Sequence, residues 1–95
     1  MNTYELTIIL RNKDVEHHVE RVKELLKKYG TTFLNENPLG VKKLAYPIDR
    51  EHEGYYLFMN VEMQPDSPKK ITSEFKLNSN ILRYLFVKIR KVATA

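Results

Sequence analysis

The run Tyr55-Tyr56-Leu57-Phe58-Met59-Asn60-Val61-Glu62-Met63 constrains this chain more than any other, because its two faces separate cleanly at a period of two. Tyr55, Leu57, Met59, Val61 and Met63 make one apolar face, and Tyr56, Phe58, Asn60 and Glu62 fall on the other. That periodicity belongs to a strand with one buried face, since a helix would repeat every 3.6 residues. A strand of this kind needs sheet neighbours on both sides and a layer to cover its apolar face, and the rest of the chain supplies both.

Thr3 to Leu10 alternates in the same way, with Tyr4, Leu6, Ile8 and Leu10 on one face and Thr3, Glu5, Thr7 and Ile9 on the other. Asp14 then stands as the N-cap of a helix over Val15 to Tyr29, whose buried stripe is Val15, Val19, Val22, Leu26 and Tyr29, widened by Leu25. Gly30 ends it at a left-handed position, and Lys27 and Lys28 suit the negative end of its dipole. Thr31 to Glu36 reads as extended. After the break at Asn37-Pro38-Leu39-Gly40 the chain resumes as Gly40 to Ile48, which predicts a long bent strand or a hairpin. Pro47 lacks a backbone donor and so places this strand at a sheet edge. The polar segment Asp49-Arg50-Glu51-His52-Glu53-Gly54 is expected to be a loop. Ser67 as N-cap and Pro68 in the first helical position open a short second helix carrying Ile71 and Phe75, with an exit at Asn78-Ser79-Asn80. Ile81 to Ile89 is the last strand.

The order strand, helix, strand, strand, helix, strand predicts an α+β, ferredoxin-like (split βαβ) fold: a four-stranded antiparallel sheet with two helices on one face and the other face open. With 95 residues there is enough chain for one core but not two, so residues 1–95 are expected to form a single domain. The N-terminal alternation is unlike a signal peptide, and no apolar run approaches the roughly 20 residues that span a bilayer, which predicts a cytoplasmic protein. There is no cysteine, so disulfides, thiolate metal sites and a cysteine nucleophile are excluded together.

The net charge of +4 favours a polyanionic partner, because lysine and arginine gain affinity by releasing the counterions condensed on phosphates. Lys42 and Lys43 are the sharpest such feature: adjacent on a strand, they point to opposite faces, and a polyanion at the rim could be gripped by both. Arg83 on the last strand and Lys88, Arg90 and Lys91 at its end complete the candidate RNA-binding set, expected to cluster in the fold. Tyr56 and Phe58 on the open face are candidate partner-binding anchors, since an exposed aromatic pair more often marks a protein interface than a base-stacking surface. The central strand does not match the RNA-recognition-motif signature: Glu53 stands where a cation is needed, Tyr56 where a small residue is, and Asn60 where an aromatic is.

Catalysis finds no positive sign. His17 and His18 diverge by about 100° on a helix and cannot share a metal as an i, i+4 pair could. Asp49, Glu51 and Glu53 alternate with Arg50 and His52, as in a solvated turn. No G-x-S-x-G, P-loop or dinucleotide glycine pattern occurs, and no cofactor is expected. The alternative to an RNA-binding protein is a ferredoxin-like small-molecule-binding or enzymatic domain, which would need a pocket with convergent polar groups.

Several stretches together resemble a known family. They are Tyr4-Glu5, Leu39-Gly40-Val41-Lys42-Lys43-Leu44-Ala45-Tyr46-Pro47-Ile48, Gly54-Tyr55-Tyr56, Val61-Glu62-Met63, Asn80-Ile81-Leu82-Arg83 and Val87-Lys88. In these the chain resembles the bacterial small-ribosomal-subunit protein S-six family over nearly its whole length. The resemblance implies a non-enzymatic ribosomal protein that binds the central domain of the small-subunit ribosomal RNA with protein S-eighteen as a heterodimer. Family members commonly carry arginine in the basic pair, and lysine keeps the charge without the bidentate fork. Many also carry a longer C-terminal tail, so a tail-mediated contact is expected to be reduced here.

Overall fold

The computed structural model describes residues 1–89. It contains six elements: β1 (Asn2–Leu10), α1 (Val15–Lys28), β2 (Thr32–Ile48), β3 (Glu51–Met63), α2 (Ser67–Phe75) and β4 (Ile81–Ile89). The strands form one antiparallel sheet in the order β2-β3-β1-β4, the split βαβ arrangement expected from the element order.

Register carries the two-residue period across the sheet. Leu6 stands opposite Met59 on one side and Phe86 on the other, and Ile8 opposite Leu57 and Tyr84. These residues share the helix-covered face, where Leu6, Ile8, Leu57 and Met59 are fully buried with Val22 and Leu26 of α1 and Ile71 and Phe75 of α2. Burial at about 25 cal/mol per Å² makes this layer the main source of stability in a chain without disulfides.

The ends of α1 are asymmetric. Asp14 occupies the N-cap in a left-handed conformation (φ 50°) but its side chain makes no capping hydrogen bond. At the other end Gly30, at φ 74°, donates to the Lys27 carbonyl while the Thr31 N–H reaches back to Leu26, a Schellman closure. Asp66, and not Ser67, takes the N-cap of α2. Ser67 is instead the first helical residue, buried, with its hydroxyl donating to the Tyr29 carbonyl at 3.4 Å, so it ties the two helices together.

The predicted loop at Asp49 to Gly54 is not one. β3 begins at Glu51, and the connection from β2 is a tight turn at Asp49-Arg50, both residues in the left-handed region (φ 50° and 67°). This is the turn geometry that matches strand twist, built here without glycine. The long bent strand at Thr32 to Ile48 is a single element, and its pairing with β3 shifts between Phe33 and Asn35, between Pro38 and Gly40, and between Lys43 and Ile48. Gly40, at φ 83°, supplies the second irregularity, as a bulge requires.

Candidate nucleic-acid and partner interface

Because both helices cover one face, the other presents side chains in rows. One row runs Gly40, Tyr56, Ile9, Arg83; the next runs Asn37, Phe58, Thr7, Leu85; a third includes Asn60, Glu5 and Val87. Tyr56 and Phe58 therefore lie on the open face, half-buried by their sheet neighbours alone. Across β1 on the same face, Leu85 is 59% exposed and Val87 43% exposed. These two were missed in the sequence, although β4 is apolar on both faces (Tyr84 and Phe86 inward, Leu85 and Val87 outward), and such a strand calls for cover on both sides.

β1 stops at Leu10, which pairs with Tyr55, so the part of β2 and β3 beyond that row projects as a two-stranded arm. Lys42 pairs with Gly54 on the open face, and Lys43 pairs with Glu53 on the opposite face. Both lysines are exposed. Beyond them Ile48 pairs with Glu51, so Leu44 to Pro47 stand across from His52 alone. Pro47 sits in this unpaired stretch, where its missing N–H costs nothing. Tyr46, in the same stretch, reaches the start of β4: the Arg83 guanidinium lies over its ring, 5.0 Å from the centroid.

The candidate cations are thus not one cluster. Lys42 and Arg83 belong to the arm end of the open face, three strands apart across the sheet and one side-chain row apart along it. Lys88 pairs with Tyr4, on the helix-side face, about 16 Å along β4 from Arg83. Arg90 and Lys91 lie outside the described residues. On the helix layer, hydrogen bonding to Glu74 holds the Tyr29 phenol above its ordinary pKa, with desolvation and the carboxylate charge adding to it.

Arg11 is the polar residue that sequence reasoning passed over. Its Nε donates to the Ser79 carbonyl at 2.9 Å, its Nη1 to Glu51 at 3.0 Å, and its Nη2 to Asp49. Asn12 adds a longer hydrogen bond to Glu53 at 3.4 Å. The acids at the arm tip are therefore held from the end of β1.

A family model described as ribosomal protein S6 matches residues 3–88. The chain belongs to the ribosomal protein S6 family. The small ribosomal subunit protein bS6 of Leptospira biflexa is 40% identical over 88 residues, covering 93% of this chain and 97% of that protein. That of Caldanaerobacter subterraneus is 33% identical over 85 residues, covering 90% of each. The crystal structure of 30S ribosomal protein S6 from Thermotoga maritima superimposes with a TM-score of 0.84 at 20% identity, over 93% of this chain and 87% of that one. The C-terminal domain of the MgtC protein from Mycobacterium tuberculosis also shares the fold (TM-score 0.65, 12% identity, 96% of this chain and 90% of that one), so architecture alone would not have chosen between functions. As a member of the S6 family the chain is a protein of the small ribosomal subunit, part of the cytoplasmic translation machinery, and not an enzyme. Among the described residues no helix is long and apolar enough to cross a membrane.

Proposed function

We propose that this S6-family chain, acting as one domain over residues 1–95, binds the central domain of the 16S ribosomal RNA together with protein S-eighteen as a heterodimer. The observation that carries the proposal is the juxtaposition on one sheet face of an uncovered apolar surface and a cationic rim. Tyr56 and Phe58 stand at the middle of that surface with Leu85 across β1 from Phe58, the arrangement of a central anchor set within a partner interface. Lys42 lies beyond the apolar rows at the arm end, and Arg83 stands at the β4 end of the Tyr56 row, exposed at its edge, where phosphates can reach them. Lys43 faces the other side of the arm and Lys88 the helix side of β4, so both would widen the contact beyond the open face; Arg90 and Lys91, outside the described residues, stay in the candidate set on charge alone. Lysine acts as a point charge, so recognition rests on phosphate and sugar and on RNA shape more than on base edges.

The test is a binding titration of a transcribed central-domain fragment with this chain, with and without purified protein S-eighteen. Tight binding that requires both proteins supports the reading. A thermal-shift screen against metabolites and nucleotides tests the other class of function: saturable stabilisation by one small ligand, with no RNA binding, would overturn it.

A further inference from the structure

We propose that Arg11 is a positioning residue for RNA binding: it clasps the β2–β3 arm and so fixes the direction in which the arm presents Lys42 and Lys43. The inference rests on the reading of the arm as an RNA-binding element. Two strands alone are marginally stable in water, and this pair is weaker than most, because Leu44 to Pro47 stand opposite His52 alone and the turn holds two non-glycine residues in the left-handed region. The ladder beyond Lys43 cannot set the arm's angle to the sheet. Arg11 can. All three guanidinium nitrogens are engaged, two on the arm tip at Asp49 and Glu51 and one on the Ser79 carbonyl, while its own N–H donates to the Asn80 carbonyl at 2.9 Å. The side chain is only 22% exposed, so this planar fork joins the end of β1, the arm tip and the entry to β4. The Tyr46–Arg83 contact braces the same arm from β4.

The clasp and plain electrostatics predict opposite signs for one variant. Asp49→Asn with Glu51→Ala removes two negative charges from the arm, which by charge alone strengthens binding to RNA; asparagine tolerates the left-handed turn. If the clasp positions the arm, the same variant weakens binding. With the arm in its docking direction for about one-tenth of the time, apparent affinity falls about tenfold. Arg11→Ala should produce the same loss with an unchanged slope of log affinity against log salt, because no phosphate contact is removed. Arg11→Lys, lacking the fork, should restore little of it. In the free protein, exchange of the amides that bond β2 to β3 within residues 41–43 and 51–54 should quicken in Arg11→Ala while Leu6 and Met59 keep wild-type protection. The experiment is a salt-series titration of the four proteins against the central-domain RNA fragment with protein S-eighteen present, alongside exchange on the free chains. Tighter binding by the acid-free variant, an Arg11→Ala slope shallower by about one unit, or unaltered arm exchange each overturns the clasp. A wild type that does not bind the fragment overturns instead the functional reading beneath it.

Discussion

Gly54 is where the arm leaves the body of the sheet, and the structure fixes what any side chain would meet there. A Cβ at this position would lie 2.6 Å from Ile9 Cγ2, 3.3 Å from the Leu10 carbonyl oxygen and 3.5 Å from Leu82 Cδ1. The first contact is about 1 Å inside the optimum of roughly 3.5–4.0 Å between carbons. Ile9 cannot easily yield, because its Cγ2 branches from Cβ and its χ1 is stiff. Gly54→Ala must therefore shift β3 against β1, at an overpacking cost of about 1–3 kcal/mol. The lower entropy of an unfolded alanine offsets about 0.4–1 kcal/mol of that. A net loss near 1–2 kcal/mol lowers Tm by about 5–15 °C for a domain of this size, readily followed by calorimetry. The cause is checked by a double-mutant cycle. Ile9→Ala removes the offending methyl, so adding Gly54→Ala to it should cost less than about 0.5 kcal/mol, whereas Ile9→Val, which keeps Cγ2, should give no relief. An equal penalty in the Ile9→Ala background would refute the argument.

Phe58→Ala should cost about 1–3 kcal/mol of heterodimer affinity in a calorimetric titration with protein S-eighteen and leave the melting of the free chain nearly unchanged, since the ring packs on the open face. A large fall in Tm with intact affinity would instead make it part of the core. Leu26→Ala, fully buried between α1 and the sheet, should reverse that pattern, losing about 2–5 kcal/mol in denaturant unfolding while the interface survives in the folded fraction. Gly30→Ala should destabilise by about 1 kcal/mol in the same assay, because its φ of 74° closes α1 and its site is otherwise open space.

The sheet was legible because its buried face repeats at a period of two along β1 and β3, and that pattern fixes which side chains face the helices whatever the loops do. The arm was not legible, for the complementary reason. From Glu51 to Glu53 the strand has no buried face to impose a pattern, so Glu51-His52-Glu53 reads as a loop. Its turn gives no local sign either: Asp49 and Arg50 adopt a conformation that sequence reasoning expects of Asn-Gly or Asp-Gly. What holds the turn is Arg11, 38 residues from Asp49 and 40 from Glu51, a pairing that becomes visible only when β1 and β3 lie side by side. The candidate cations show the same division. Adjacency in sequence placed Lys42 and Lys43 on opposite faces correctly, but it could not show that Lys88 lies at the far end of the sheet from Arg83.

That opposition makes the two lysines unequal. Lys42 stands across from Gly54, which has no side chain to occupy or neutralise the space in front of it. Lys43 stands across from Glu53, a cross-strand acid on the same face, hydrogen-bonded by Asn12, whose charge lowers the local positive potential. A polyanion approaching the open face meets Lys42 with no acid across from it, while one reaching Lys43 must come round the arm and approach Glu53 as well. Lys42→Ala should therefore weaken RNA binding and make the salt slope shallower by about one unit, as expected for one lost phosphate contact. Lys43→Ala alone should change either quantity by much less, and Glu53→Gln should bring the importance of Lys43 up towards that of Lys42. Equal slopes and affinities for the two single variants, measured across one salt series, would show that the RNA reads the arm from both sides and that register on the sheet does not set the contact.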